Sequence, residues 1–262
     1  MFGPHDGTRV IVHPYRRMMG FLMRGRNESA VYFEQRVELA RTLPWLERWN
    51  ASHPGLRATL FHLYLHTLAS VLHERERLNR FTLGRRTYQR TGVYLSFAAK
   101  KAMSDDAPLA TIKRPFARGE SFLALVTALA GEIGAARDVK PSAMDKELGI
   151  LLALPGFLLA FLIRLLGWLY RWGLAPKSLV ETDPLYTSAF VANLGSLKLD
   201  AAYHHLYEHG NCPLFATLGQ TRDGAISVRY TFDERIEDGL YAARAVQMIA
   251  ERLEDPTSWI PD

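Results

Sequence analysis

The sequence predicts one α/β domain, a two-layer sandwich in which helices pack on a mixed sheet. Strand-like and helix-like segments follow one another along the 262 residues, and strands recur late in the chain. Hydrophobic residues make up 48% of the composition, which is enough to fill a sizeable core. No linker rich in Pro, Gly or Ser and no internal repeat divides the chain. We therefore expect a single domain over residues 1–262.

The first half of the chain supplies a strand and two helices. Apolar residues alternate with polar ones over residues 31–37, which indicates a half-buried strand. Helical periodicity follows over residues 39–49 and again over the longer stretch 56–73. These three elements are expected in this order.

The middle and the end of the chain continue the pattern. Residues 91–99 and 108–112 are strand-like and flank a turn at residues 104–106, and residues 121–137 are helical. Ala242, Val246, Ile249 and Leu253 recur at the spacing of one helix face. The pair Asp255-Pro256 ends this last helix.

Four consecutive stretches near the end of the chain form a recognisable series. Residues 186–192 are an apolar strand that runs into the turn Asn193-Leu194-Gly195. Residues 213–219 and 226–232 are two more strands. The last strand leads into Phe232-Asp233-Glu234-Arg235-Ile236-Glu237-Asp238-Gly239.

In order and spacing, these stretches and the helix at residues 60–72 resemble a known catalytic domain. It is that of the dihydrolipoyl acyltransferase component of 2-oxoacid dehydrogenase complexes, a relative of chloramphenicol acetyltransferase. The resemblance spans roughly residues 14–256 and implies a chloramphenicol acetyltransferase-like sandwich. Lipoyl and peripheral-subunit-binding domains precede the catalytic domain in complete members, and we expect neither in this chain.

The resemblance also implies where the chemistry would lie. In the family, a His-x-x-x-Asp-Gly motif supplies a histidine that removes the proton from the thiol of coenzyme A or dihydrolipoamide. Glu234 stands at the position of that histidine. A carboxyl group with a pKa of about 4.3 is a poor base for a thiol with a pKa of about 8.5, unless burial raises the carboxyl pKa. Glu234 is therefore either the base of a diverged enzyme or an ordinary charged residue at a strand end, paired with an arginine.

A second departure from the family concerns the strand before the Asn-Leu-Gly turn. Family members commonly carry hydroxyl residues at the places of Phe190 and Ala192, and one such hydroxyl stabilises the oxyanion. Loss of an oxyanion donor typically costs about a hundredfold or more in rate. Thr187 and Ser188 lie nearby as uncertain substitutes.

Other positions of the family pattern are intact. The resemblance implies a structural ion pair between Asp238 and an arginine near the N-terminus, either Arg16 or Arg17. It places Asn193 and Gly195, together with Ser188, in the substrate site. Glycine gives the turn a backbone freedom that other residues lack.

The sequence therefore predicts a degenerate acyltransferase that serves as a non-catalytic oligomeric scaffold, a pseudoenzyme attached to a membrane or a protein partner. The alternative is a diverged acyltransferase that moves an acyl group from coenzyme A or a carrier, with Glu234 as base. Coenzyme A is the only cofactor that the resemblance implies. The family assembles as trimers, some of which stack into cages, so we expect a homotrimer or a larger homo-oligomer.

Metal and thiol chemistry are not expected. His62 and His66 share one helix face and His204 and His205 lie on a predicted helix, but no third ligand stands at a suggestive spacing. The single Cys212 has no local His and Asp partners and is expected to be a buried small residue.

A hydrophobic segment interrupts the family pattern as an insertion at about residues 141–176. Residues 148–172 contain only two charged residues, Arg164 and Arg171, although Pro155-Gly156 would kink a spanning helix. A single spanning helix would also place the two halves of one core on opposite sides of a membrane. Three alternatives remain: a membrane-surface anchor, an oligomer or partner interface, and a lid over an acyl channel. The residues expected to make the membrane or partner contact are Phe157, Phe161, Trp168, Tyr170 and Trp172.

Charge and cysteine usage set the remaining expectations. A net charge of +5 is modest, and we expect no nucleic-acid partner. Two arginine clusters are either a solvated basic face or a contact for phosphates: Arg16, Arg17, Arg24 and Arg26, and Arg85, Arg86 and Arg90. One cysteine and no apolar signal sequence predict a cytoplasmic protein, peripheral at a membrane if the segment meets lipid.

Overall fold

The computed structural model describes residues 3–100, 109–138 and 152–260. The helices in these ranges are α1 (Pro14–Leu22), α2 (Thr42–Ser52), α3 (Leu60–Glu74), α4 (Phe122–Asp138), α5 (Gly156–Trp172), α6 (Lys177–Thr182) and α7 (Gly239–Glu254). The strands are β1 (Gly7–Arg9), β2 (Ala30–Glu38), β3 (Arg80–Leu83), β4 (Arg86–Arg90), β5 (Val93–Lys100), β6 (Leu109–Phe116), β7 (Ala189–Asn193), β8 (Leu214–Arg222) and β9 (Ala225–Asp233).

The strands form two sheets. The large sheet has the order β2-β9-β8-β7-β5-β6, in which β7 pairs in parallel with both β5 and β8 and the other pairs are antiparallel. The small sheet is antiparallel, with the order β1-β4-β3. The predicted mixed sheet with packed helices is confirmed.

The main core lies between the large sheet and helices α2, α3, α4 and α7. Alternate residues of β9, such as Val228 and Tyr230, point into it, and α3 supplies fully buried side chains such as Leu65 and Leu68. A two-layer packing of this kind buries one face of the sheet and leaves the other free for loops and for the site.

Helix bounds follow the sequence closely, with differences of a few residues. The helix predicted at residues 56–73 begins at Leu60 because Thr59 is its N-cap: Thr59 and the His62 side chain form a reciprocal capping box. The predicted helix around His204 and His205 is wrong, since neither helix nor strand occurs between residues 199 and 213. The predicted turn at residues 104–106 lies outside the described residues.

The hydrophobic segment forms helix α5, which begins at Gly156 after Pro155 and ends where Gly173 takes a left-handed conformation (φ 72°). The first part of the predicted insertion, up to residue 151, lies outside the described residues. In the ranges that the structure covers, no helix has both the length and the apolar character needed to cross a membrane.

A second hydrophobic cluster fixes α5 to the small sheet. Tyr170 packs with Phe81, Tyr88 and Tyr186. Its hydroxyl donates to Asp6 Oδ1 at 2.8 Å, and Asp6 also pairs with the buried Arg90 at 2.8 Å. Tyr170 is therefore part of the protein interior, which corrects the prediction that it contacts a membrane or partner.

A network of polar groups completes this junction. The guanidinium of Arg90 donates to Asn211 Oδ1 at 2.8 Å, and the Asn211 amide donates to Asp6 Oδ2 at 2.8 Å and to the Tyr170 hydroxyl. Four segments that are distant in sequence meet here, so the charge of the Arg90 side chain is neutralised inside the protein.

We predict that Asp6→Ala lowers the free energy of unfolding by about 3 kcal/mol, because it leaves the Arg90 guanidinium buried without its counter-charge. Chemical denaturation measures the change. Glu76→Ala is the matched control: its exposed ion pair with Arg118, at 2.8 Å, should contribute less than about 1 kcal/mol. Equal losses in the two variants would contradict the buried network.

Candidate functional site

The site is the turn between strand β9 and helix α7, where the Asp-Glu-Arg motif lies. β9 pairs with β2 up to Asp233, and the amide of Ile236 donates to the Asp233 carbonyl at 3.1 Å. Ile236 is fully buried and holds the turn against the main core. Helix α7 then starts at Gly239.

Asp233 and Arg235 form a buried ion pair within this turn. Their side chains are 0% and 5% exposed, and Arg235 donates to Asp233 through Nε at 2.9 Å and through Nη2 at 2.8 Å. Ser29 Oγ adds a third hydrogen bond to the carboxylate at 2.8 Å. Two parallel donors on one carboxylate make this a bidentate, geometrically specific pair.

Arg235 also binds the chain that follows helix α1. Its Nη1 donates to the carbonyl of Arg24 at 3.2 Å. The backbone amide of Glu234 donates to the Ser29 carbonyl at 2.9 Å. The motif turn is therefore joined to the α1–β2 connection on both sides.

A second buried arginine, Arg26, extends the junction to the loop before β8. Its guanidinium donates to the carbonyls of Glu208 and Gly210, both at 2.8 Å. Burial lowers the pKa of Arg26, and the charge of Asp233 opposes that shift. Arg26 thus binds the loop after β7, and the charge of the Asp233 carboxylate acts on its guanidinium through space.

Glu234 differs from its neighbours because only its backbone is bound. Arg16 Nη1 donates to the Glu234 carbonyl at 2.8 Å, so the predicted arginine partner contacts the backbone rather than the carboxylate. The side chain is half-buried. Within the described residues, the Glu234 carboxylate forms no hydrogen bond and no ion pair. The structure therefore leaves this group without a partner that would orient it.

Arg16, and not Arg17, meets Asp238. Arg16 Nη2 lies 3.8 Å from Asp238 Oδ2, and the Asp238 side chain is 53% exposed. Asp238 also caps helix α7, since its Oδ1 accepts from the Tyr241 amide at 2.8 Å. Because the ion pair between Arg16 and Asp238 is exposed to solvent, the helix cap contributes more to stability than the ion pair does.

Glu237 is a charged residue of the motif whose environment the sequence did not reveal. Its side chain is 8% exposed, and its Oε2 lies 3.1 Å from Arg80 Nη1 and 3.7 Å from Arg77 Nη1. The arginines come from the segment that leads into β3, so no local pattern could have paired them with Glu237. The turn therefore contacts the small sheet through this carboxylate.

Phe190 of β7 lies in a stack of aromatic rings. Phe190 stacks on Phe215, with centroids 5.0 Å apart, and Phe215 stacks on His204 at 3.8 Å. Ala192 pairs with Thr217, whose hydroxyl donates to the Ala202 carbonyl. Burial lowers the pKa of His204.

Ser188 and Thr187 are part of the fold. Both are fully buried. Ser188 Oγ accepts from the Tyr94 amide at 2.9 Å, and Thr187 Oγ1 donates to the Tyr94 carbonyl at 2.7 Å. These hydroxyls join β7 to the start of β5, which places Ser188 in the sheet rather than at an accessible surface.

The Asn193-Leu194-Gly195 turn packs tightly on strand β8. Asn193 Oδ1 accepts from the Ser196 amide at 3.3 Å. A Cβ atom at Gly195 would lie 2.4 Å from the Gly219 carbonyl oxygen. Glycine is thus required at this close approach.

Solved structures share this architecture over nearly the whole chain. A probable dihydrolipoamide acetyltransferase from Listeria monocytogenes is 15% identical, with a TM-score of 0.58 over 94% of each chain. The cubic core of the pyruvate dehydrogenase multienzyme complex is 16% identical, with a TM-score of 0.59 over 93% of this chain and 87% of that one. A chloramphenicol acetyltransferase is 14% identical, with a TM-score of 0.60 over 95% of this chain and 98% of its own.

The chain has the chloramphenicol acetyltransferase fold. The fold expected from the four C-terminal stretches is therefore confirmed. No protein-family model matches the sequence, and no curated protein sequence matches it.

Two histidines of helix α3 have structural roles. His66 Nε2 bonds the Glu120 carbonyl and His73 Nε2 bonds the Phe116 carbonyl, both at 2.8 Å. Burial lowers the pKa of His62 and of His66. Among the residues that the structure places, no three His, Cys, Asp or Glu side chains form a metal-binding group.

Cys212 is buried, as expected from the sequence. Burial raises the pKa of its thiol, which donates to the Leu214 carbonyl at 3.2 Å. A buried thiol of this kind is a poor nucleophile.

Four of the five predicted membrane or partner residues lie on the outer side of α5. Phe157 is 79% exposed, Phe161 57%, Trp168 53% and Trp172 43%. The fifth, Tyr170, faces the small sheet. Only one side of the segment is therefore available for a partner.

We predict that Asp238→Ala lowers the free energy of unfolding by about 1 kcal/mol, because the Tyr241 amide loses its cap. Asp238→Asn keeps the capping oxygen and should cost less than about 0.5 kcal/mol. The free energies of unfolding of the two variants, measured with denaturant, separate the contribution of the helix cap from that of the ion pair with Arg16. If Asn is as costly as Ala, the charge contact with Arg16 is the larger contribution.

Proposed function

We propose that this protein is a non-catalytic oligomeric scaffold built on the chloramphenicol acetyltransferase fold. The observation that carries the proposal is the state of the motif. Asp233, Arg235 and Asp238 are engaged in structural contacts, and a carboxylate, that of Glu234, stands where the resemblance places the catalytic histidine. The fold by itself does not establish an activity.

A carboxylate is a weak substitute for imidazole in this reaction. Moving a proton from a thiol of pKa about 8.5 to a carboxylate of pKa about 4.3 is unfavourable by roughly four powers of ten. The Glu234 side chain is half-buried, and Arg16 contacts its backbone carbonyl rather than its carboxylate. No contact of the described residues therefore orients this carboxylate toward a thiol.

The aromatic stack supports the same conclusion from a second position. Phe190 and Ala192 stand where the resemblance places an oxyanion donor, and neither side chain can donate a hydrogen bond. The nearby hydroxyls of Thr187 and Ser188 bond the backbone of Tyr94. Base and oxyanion donor are therefore replaced together.

A diverged acyltransferase is the second candidate. It is favoured by the unpaired state of the Glu234 carboxylate, which leaves this group free to contact a substrate. In that case coenzyme A or a carrier would supply the acyl group, and Glu234 would act as the base.

Assembly as a homotrimer or a larger homo-oligomer is part of the proposal. A solved structure with this fold is the cubic core of a multienzyme complex. The sheet face opposite the helices carries exposed aromatic rings: Tyr32 is 51% and Tyr203 45% exposed, and their rings meet at 5.3 Å. We place the contact between copies on this face, and the protein in the cytoplasm, where its single buried thiol is stable.

We predict that the purified protein transfers no acyl group from a panel of acyl-coenzyme A donors to thiol, alcohol or amine acceptors, and that Glu234→Gln behaves like the unmodified protein. Release of free coenzyme A thiol and mass spectrometry of the acceptor report transfer. Glu47→Gln, at an exposed carboxylate on α2, is the control. Turnover that collapses in Glu234→Gln but not in Glu47→Gln would replace the scaffold with the diverged enzyme.

We predict that light scattering gives the mass of a trimer or a multiple of it. Tyr32→Lys with Tyr203→Lys should dissociate the assembly, because it places charges in an apolar contact. Leu123→Lys, at an exposed residue of α4 in the helical layer, should leave the mass unchanged. A monomeric unmodified protein would refute the assembly, and an intact double variant would exclude this face.

A further inference from the structure

The outer side of helix α5 is an apolar strip on the protein surface. Phe157, Phe161, Trp168 and Trp172 are separated by four, seven and four residues, which is the spacing of one helix face. All four are exposed. The opposite side of the helix packs through Leu166, Leu169 and Tyr170 on the second hydrophobic cluster. A helix that is apolar on both sides is normally covered on both sides.

Arginines surround this strip. Arg164 and Arg171 lie on the same face of α5 as Trp168. Arg24 follows α1, Arg85 lies in the β3–β4 turn, and Arg86 is the first residue of β4. All five side chains are exposed, and none of them forms an ion pair with another described residue. We call the apolar strip and these five arginines the α5 surface.

Contacts between the elements make the α5 surface continuous. The Arg85 guanidinium lies 4.7 Å from the centroid of the Phe21 ring of α1. The Arg171 guanidinium packs on Gly84 of the β3–β4 turn. Its Cζ atom lies 3.5 Å from the position that a Cβ atom would take at Gly84, which is ordinary van der Waals contact. Helix α1, the β3–β4 turn and α5 therefore form one side of the molecule.

Two grooves open between these arginines. One, of about 520 Å³, lies between Arg24, Arg85, Arg86 and Arg171 and is flanked by Phe21 and Trp172. The other, of about 510 Å³, is lined by Arg24, Arg164 and Arg171 together with Trp168. Glu208 also lines this second groove, and its carboxylate accepts hydrogen bonds from the Arg26 and Asn27 amides. Clustered guanidinium groups beside aromatic rings are suited to phosphate groups at the edge of an apolar phase.

Three stretches of the chain that contribute to this side are basic in sequence. Residues 9–27, 77–90 and 152–180 together contain 13 Lys or Arg and no Asp or Glu. Several of these arginines are neutralised by acids from other segments, such as Arg90 by Asp6 and Arg80 by Glu237. The five exposed arginines of the α5 surface form no such pair among the described residues, so they are attracted to an anionic surface.

We propose that the α5 surface docks on a bilayer that contains anionic phospholipids. Phe157 and Phe161 enter the boundary between headgroups and acyl chains, Trp168 lies at headgroup level, and the arginines bind the lipid phosphates in the two grooves. This inference rests on the α5 surface alone and is independent of whether Glu234 has a catalytic role.

The chemistry of the α5 surface favours a bilayer over a second copy of the chain. A symmetric contact through this face would place arginines of one copy near arginines of the other, which is repulsive. The same surface favours a bilayer over a soluble polyanion. The phosphate groups of a polyanion can bind the arginines, but they offer no apolar phase for Phe157 and Phe161. Only an anionic membrane offers both an apolar phase for the strip and phosphate groups for the five arginines around it.

Flotation with phosphatidylcholine vesicles, with and without phosphatidylserine, tests the proposal on the full chain. We expect the protein to float only with phosphatidylserine and to dissociate as ionic strength rises. Arg85→Gln with Arg164→Gln should weaken binding roughly 30-fold, at about fivefold for each arginine. Phe157→Ser with Phe161→Ser should also reduce binding, because it removes the inserted rings.

Matched controls remove the same groups elsewhere. Arg57→Gln with Arg244→Gln removes two exposed charges outside the α5 surface, and Leu123→Ser with Leu199→Ser removes two exposed apolar side chains. Both controls should float as the unmodified protein does. Circular dichroism confirms that each variant is folded, which is expected because every substituted residue is exposed.

Three results would overturn the proposal. One is the absence of flotation with phosphatidylserine vesicles. Another is flotation that the phenylalanine variant does not reduce, which would assign the surface to polyanions in general. The third is a phenylalanine variant that changes the oligomeric mass, which would make the strip an interface between copies.

Discussion

The fold around the motif depends on the buried ion pair between Asp233 and Arg235. Asp233 is fully buried, and a carboxylate in that position is tolerated only with a bound counter-charge and satisfied oxygens. Arg235 supplies the charge and reaches on to the carbonyl of Arg24, while Ser29 donates the third hydrogen bond. Through Arg26 the same centre also holds the loop after β7. The end of β9, the α1–β2 connection and that loop are therefore positioned by one group of charges.

This arrangement fixes the path of the turn independently of the side chain at residue 234. Asp233, Arg235 and Asp238 orient the turn and start helix α7, and these tasks do not involve the side chain between them. Glu234 is held by its amide and its carbonyl, so the backbone path is fixed whatever side chain stands there. A substitution at residue 234 therefore leaves the turn in place, whereas a substitution at residue 233 removes the carboxylate on which the turn depends.

Most of the fold could be predicted from the sequence, because strand alternation, helical periodicity and the order of the four C-terminal stretches are local signals. The failures have long-range causes. Burial of Tyr170 depends on Asp6 and Asn211, and the environment of Glu237 depends on Arg80; each of these partners is far away in sequence. The irregular loop around His204 is stabilised by ring stacking on Phe215 rather than by a helical pattern. Similarly, the α5 surface could not be outlined from residues 148–172 alone, since Arg24, Arg85 and Arg86 come from other elements.

The most direct test compares the free energies of unfolding of Asp233→Asn and Glu234→Gln, two adjacent substitutions that each replace a carboxylate by an amide of the same shape. We predict a loss of about 3–5 kcal/mol at residue 233, where two buried guanidinium groups lose their counter-charge. At residue 234 we predict a change within about 0.5 kcal/mol, because the side chain has no partner among the described residues. Similar losses at the two positions, or a larger loss at residue 234, would contradict the central role of the Asp233–Arg235 pair.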